Sequence, residues 1–137
     1  MRLRAGFVCD YPDLYPALKA VQFLQFIGSF YDEWQKKRTY DLLDEFRVRP
    51  DSPIGSMSKS DRIKLLIISA IGHRPSLLIL DEPTTDIDLR ARLELLHFLR
   101  KLAREENTSI VVSSRIGDDL DQVAESILTL KKGRVIE

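Results

Sequence analysis

The chain has 137 residues, room for one compact domain rather than two of ordinary size. Apolar residues make up 44% and charged residues 31%, enough to bury a core, which excludes a disordered chain. Lys plus Arg is 21 and Asp plus Glu is 21, so no net field draws the chain to nucleic acid, and no nucleic-acid partner is expected.

Cys9 is the only cysteine, which excludes an internal disulfide and a cysteine-based zinc cage and fits a reducing compartment. No run approaches the roughly 18 apolar residues of a membrane span. The start, Met1 to Gly6, lacks the apolar core of a secretory signal. The expected location is cytoplasmic, peripheral to a membrane only through a partner.

In chain order, Ala5 to Val8 is a candidate short strand, ended by a Pro- and Tyr-rich turn from Asp10 to Pro16. Leu18, Val21, Leu24, Phe26 and Ile27 recur at helical spacing and predict a helix over Ala17 to Phe30. A weaker pattern, Trp34, Leu42, Leu43 and Phe46, predicts a second. The loop from Arg49 to Gly55, with two prolines and a glycine, is the best internal boundary. Ser58 followed three residues later by Asp61 reads as an N-cap pair opening a helix that runs to Gly72.

Next, Ser76 to Asp81 is an apolar run ending in acid, the pattern of a parallel strand buried on both faces. From Asp88 to Arg104 an amphipathic helix is predicted, with Leu89, Leu93, Leu96, Leu99 and Ala103 as its apolar stripe. Ser109 to Ser113 reads as a second buried strand, so strand, helix and strand form a βαβ unit with a parallel sheet. A short helix near Asp118 to Ala124 leads to a closing hairpin built from Ser126 to Leu130 and Arg134 to Ile136. His73 and His97 read as surface residues, and their spacing suits no metal site.

The chemistry concentrates where the first buried strand ends. Asp81-Glu82-Pro83 places two carboxylates beyond the carboxyl end of a parallel strand, where open α/β sheets hold their ligands. One acid can orient the water shell of a magnesium ion while its neighbour polarises an attacking water, a division suited to phosphoryl transfer. The plainer alternative is a strand-end turn with Pro83 as its breaker.

Leu77-Leu78-Ile79-Leu80-Asp81-Glu82-Pro83-Thr84 resembles the Walker B segment of the ATP-binding-cassette (ABC) ATPases almost letter for letter. Thr85-Asp86-Ile87-Asp88 is similar to that family's D-loop, and Ser113-Ser114 precedes the place of its switch histidine. Leu130 to Val135 resembles its closing strands. Upstream, Ala5 to Val8, Leu14 to Leu18 and Phe23 to Gly28 resemble the stretch from the Q-loop into the helical subdomain of the exporter-type branch.

The resemblance implies an α/β fold, a P-loop NTPase-like parallel sheet with a helical subdomain, lacking the N-terminal P-loop strand. On this reading residues 1–137 are a partial ABC ATPase domain. About 10–56 is the helical subdomain; about 57–137 carries the signature helix, Walker B, D-loop and C-terminal strands. Asp81 would hold Mg2+ through water, Glu82 would be the general base, and Asp88 would communicate across a dimer interface. ATP and Mg2+ are the implied cofactors. A transmembrane transporter subunit is an implied partner, as is a second ABC ATPase subunit or a missing N-terminal half. The aromatic residues Phe23, Phe26, Phe30, Tyr31 and Trp34 are either core or a docking surface for the membrane partner.

Several positions depart from the family pattern. The signature reads Met57-Ser58-Lys59-Ser60-Asp61, without its glycines. Ser58, Lys59 and Ser60 can still meet a phosphate at a helix N-terminus, while Ser58 can equally be a plain cap. Asp10 aligns near the Q-loop glutamine and Arg115 with the switch histidine. Arg115 reads either as a contact to the γ-phosphate or as a surface arginine paired with Asp118 or Asp119. No glycine precedes a Lys-Ser or Lys-Thr pair, so these residues contain no P-loop.

In the family the P-loop strand lies between the strand at Ser109 to Ser113 and that at Ser126 to Leu130. Its absence predicts a marginal fold, self-association, or direct pairing of those two strands. The function implied is a partial nucleotide-binding domain coupling ATP binding and hydrolysis to transport. The alternative is a degenerate, non-hydrolysing remnant that binds a partner.

Overall fold

The computed structural model describes residues 4–9 and 15–136. The elements are β1 (Ala5–Val8), α1 (Ala20–Gly28), α2 (Lys36–Glu45), a 3₁₀ turn at Ile54–Ser56 and α3 (Lys59–Ile71), then β2 (Leu77–Asp81), α4 (Leu89–Glu105), β3 (Ser109–Ser113), α5 (Gly117–Leu120), β4 (Thr129–Lys131) and β5 (Arg134–Ile136).

Local chemistry sets the helix starts. α1 begins later than the apolar spacing implies, because the Lys19 amide donates to Gln22 Oε1 at 2.9 Å and fixes the first turn there. α3 starts where expected: Ser58 Oγ accepts from the Asp61 amide at 3.1 Å. α4 starts after Asp88, whose Oδ1 accepts from the Ala91 amide at 2.9 Å.

Two apolar clusters hold the chain together. The first gathers Phe23 and Leu24 of α1, Leu42 and Leu43 of α2, and Leu65 and Ile68 of α3. The second gathers Val8 of β1, Leu78 and Leu80 of β2, Leu95, Leu96, Leu99 and Leu102 of α4, and Ile63 and Ile67 of α3. α3 is therefore apolar on two sides and belongs to both. The stripe of α4 matches the expected one in part: Leu96 and Leu99 are buried, joined by Leu95 and Leu102, whereas Leu89 is exposed.

The sheet has the order β1-β2-β3, all parallel. α3 packs on β1 and α4 on β3, so helices cover the face carrying Val8, Leu78 and Leu80. The expectation that β2 is buried on both faces is corrected. On the other face Phe7 is 62% and Val111 55% exposed, and Ile79 between them is half-buried, because no described element covers that side.

Direct pairing of β3 with the later strand is not formed. β4 begins at Thr129 rather than Ser126 and pairs antiparallel with β5, and both strands are exposed throughout. The turn between them uses left-handed backbone at Lys132 (φ 50°) and Gly133 (φ 73°).

His73 is a second correction, because it is buried rather than on the surface. Its ring stacks on Tyr31 at 4.3 Å and 10°. Burial holds the imidazole below its ordinary value, partly offset by a hydrogen bond with the Ala5 backbone and reinforced by the charge of Arg4. Close by, the Trp34 indole lies against Gly72, where an added Cβ would sit 2.4 Å from the ring. The Gln35 amide donates to the Gly72 carbonyl at 2.7 Å, which binds the loop before α2 to the end of α3. Of the five aromatic residues, Phe23 and Trp34 join the first core, while Phe26, Phe30 and Tyr31 are exposed.

Candidate functional site

Parallel register aligns the ends of β2 and β3, with Asp81 opposite Ser113. The Ser113 hydroxyl donates to Asp81 Oδ1 at 2.6 Å, and the Glu82 amide donates to Ser113 Oγ at 2.9 Å. One serine thereby fixes both acids. Glu82 has left-handed backbone (φ 49°), and the turn through Pro83 and Thr84 that follows is buried.

Its carboxylate is held from two sides. Thr85 Oγ1 donates to Glu82 Oε2 at 3.0 Å. The Arg115 backbone amide donates to the same oxygen at 3.4 Å, and Arg115 Nε faces Oε1 at 3.4 Å. Arg115 thus pairs with Glu82, and no described contact joins it to Asp118; the side chain of Asp119, the other expected partner, lies outside what is described. The reason is that the loop after β3 passes directly over the turn after β2.

The structure brings Asp81, Glu82 and Arg115 into one group. Ser58, Lys59 and Ser60 form another at the N-terminus of α3, and the Lys59 ammonium lies 3.4 Å from Asp86 in the turn after β2. Asp88 commits one carboxylate oxygen to the cap of α4. Asp10 lies outside the described residues. The sequence motifs assign no role to Ser113 or Thr85, although β3 ending in serine in register with Asp81 is the signal that finds the first.

Oxygen ligands dominate this strand end. Among the described residues no three of His, Cys, Asp and Glu gather into a metal cage. One carboxylate beside a hydroxyl is the donor set that magnesium uses when water and phosphate supply the rest. The residues present fit that ion.

A three-stranded parallel sheet with acids at its carboxyl end and a helical unit beside it defines an α/β fold of the P-loop NTPase-like class. No family model matches the chain. It is similar to the ABC transporter ATP-binding protein NatA of Bacillus subtilis, 32% identical over 128 residues, covering 90% of this chain and 52% of NatA. It is 28% identical over 136 residues to the bacitracin transport ATP-binding protein BcrA of Enterococcus faecalis, covering 98% of this chain and 44% of that one. It is also 34% identical over 111 residues to the galactose/methyl galactoside import ATP-binding protein MglA of Clostridium perfringens, covering 79% of this chain and 21% of MglA.

Among solved structures, the fold matches one described as an inward-facing conformation of a putative metal-chelate type ABC transporter. The TM-score is 0.84 at 23% identity, over 96% of this chain and 56% of that one. The chain belongs with the ABC transporter ATP-binding proteins, and it spans about half the length of NatA and BcrA.

Proposed function

We propose that this chain is part of an ABC nucleotide-binding domain that couples ATP binding and hydrolysis to transport through a membrane partner. The observation that carries the reading is the group formed by Asp81, Glu82 and Ser113 at the carboxyl ends of β2 and β3. Magnesium, when bound, would neutralise phosphate charge and orient its oxygens. Asp81 has one oxygen held by Ser113 and the other left to hold that ion through water. Glu82 is the acceptor for the proton of the attacking water. Ser58, Lys59 and Ser60 meet the triphosphate bound to an opposing subunit. Asp88 relays across that interface, and in the sequence Asp10 aligns near the family's Q-loop glutamine.

The P-loop comes from another stretch of polypeptide. Its strand and helix would occupy the free edge of β3 and the open face at Phe7, Ile79 and Val111. On the helical unit, residues about 10–56, Tyr15, Phe26 and Phe30 form an exposed edge-to-face series with centroids 6.0 and 5.2 Å apart. That series is the docking surface for the membrane partner.

In the complete cassette, Glu82→Gln should reduce ATP turnover by at least about a hundredfold while leaving nucleotide binding in place. Unchanged turnover would remove the mechanism. A second reading, a non-hydrolysing partner-binding remnant, is favoured by one observation: Glu82 and Asp86 are each already paired with a cation, Arg115 and Lys59.

A further inference from the structure

Away from the strand ends, the helical unit encloses a cavity of about 260 Å³ between α1 and α2. Leu24, Gln25 and Gly28 of α1 line it, together with Trp34, Lys36 and Tyr40. Both aromatic rings are fixed in place. The Trp34 indole is wedged against two glycines: a Cβ at Gly28 would lie 2.7 Å from its Nε1, and one at Gly72 2.4 Å from its six-membered ring. The Tyr40 hydroxyl accepts from Gln25 Nε2 at 3.3 Å, which ties α2 to α1 beside the cavity. Walls held in this way cost a ligand little ordering on binding.

Lys36 is the only charged residue that lines this space. It opens the basic run Lys36-Lys37-Arg38, whose other two cations are already paired, Lys37 with Asp41 at 2.8 Å and Arg38 with Glu106 at 2.9 Å. The Lys36 ammonium faces no carboxylate among the described residues and lies 5.9 Å over the Tyr40 ring. A cation over an exposed ring is weakly held and free to meet an anion.

The chemistry of the lining selects its occupant. Aromatic walls suit a flat apolar body, and a single positive charge suits a single anion. The volume is at the small end for ligand sites and admits a molecule of one or two rings, whereas a protein partner needs a far larger contact. We infer that this cavity binds a small planar carboxylate, its ring beside Trp34 and Tyr40 and its carboxylate on the Lys36 ammonium. Gln25 neighbours Phe26 on α1, so the bound molecule braces α1 against α2 next to the exposed series of Tyr15, Phe26 and Phe30. The inference does not depend on the ATP reading.

The test uses the complete cassette, with indole-3-acetate and its neutral amide as probes, titrated by calorimetry. The acetate should bind saturably at about 1 mM or tighter, and the amide about tenfold more weakly. Lys36→Gln, at an exposed position, should weaken the acetate about tenfold and leave the amide unchanged. A saturating triphosphate analogue should not displace the acetate.

No saturable binding up to about 10 mM, equal affinity for acetate and amide, or unchanged acetate affinity in Lys36→Gln overturns the site. Displacement by the triphosphate analogue places the probe with the nucleotide and overturns it as well. A cassette that binds the acetate in the expected pattern but binds no nucleotide supports the cavity and overturns the ATP reading alone.

Discussion

At the scale of single residues, the geometry around Glu82 has a measurable cost and a visible support. Left-handed backbone at a non-glycine residue costs about 1–2 kcal/mol. Here it is sustained by the hydrogen bond from the Glu82 amide to Ser113 and by the Thr85 hydroxyl on its carboxylate. The acids themselves were legible in the sequence because Asp81 and Glu82 are adjacent and end an apolar run. Ser113 was not, because its contact with Asp81 spans 32 positions and arises only from strand register. The same limit hid His73, whose stacking partner Tyr31 belongs to a distant loop.

His73 carries a pH prediction. Burial holds it below the ordinary value of 6.5 in the folded chain, so as pH falls through that value the unfolded chain takes up a proton that the folded chain resists. Its contribution is fully present above about pH 6.5 and is lost as pH drops towards the folded value. Arg4 adds to the effect, since its charge opposes a second cation close by. Urea unfolding between pH 5 and 7, as about the range of histidine titration, should show stability falling with acid. His73→Gln should flatten that slope. An equally steep slope in the variant would assign it to other groups.

At the scale of elements, α3 is the member on which both cores depend. Leu65 faces the cluster with α1 and α2, Ile67 faces the sheet and α4, and both are fully buried. Leu65→Ala and Ile67→Ala should each cost about 2–5 kcal/mol by lost burial and cavity formation. If the helical unit and the sheet unfolded independently, each variant would lower the midpoint of one transition only. The shared helix instead predicts that both lower a single common midpoint, read by denaturant titration with two probes.

Helix starts were legible wherever a side-chain cap writes them into the sequence, as at Ser58 and Asp88. The buried face of α4 was legible only in part, at Leu96 and Leu99. Leucines occur on more than one flank of that helix, and only the position of the sheet selects Leu95 and Leu102 over Leu89. β1, β2 and β3 were found as apolar runs, but apolar residues on both faces did not reveal that one face stays open.

At the scale of the whole molecule, that open face and the free edge of β3 define what the chain requires. Phe7, Ile79 and Val111 present apolar surface, and the hairpin of β4 and β5 exposes Leu130, Val135 and Ile136. Such a surface favours association with whatever completes the sheet. The chain also spans about half the length of NatA and BcrA, so the remaining part of such a domain has the size to cover it. The central claim is that Asp81 and Glu82 work opposite a P-loop supplied by that remainder.

The most direct measurement is the intact mass and N-terminal sequence of the native protein, isolated with any subunit it holds. The account predicts a P-loop on the same polypeptide or on a tightly bound subunit. A native protein beginning at Met1, monomeric without a partner and unfolding sharply well above about 65 °C, would contradict it.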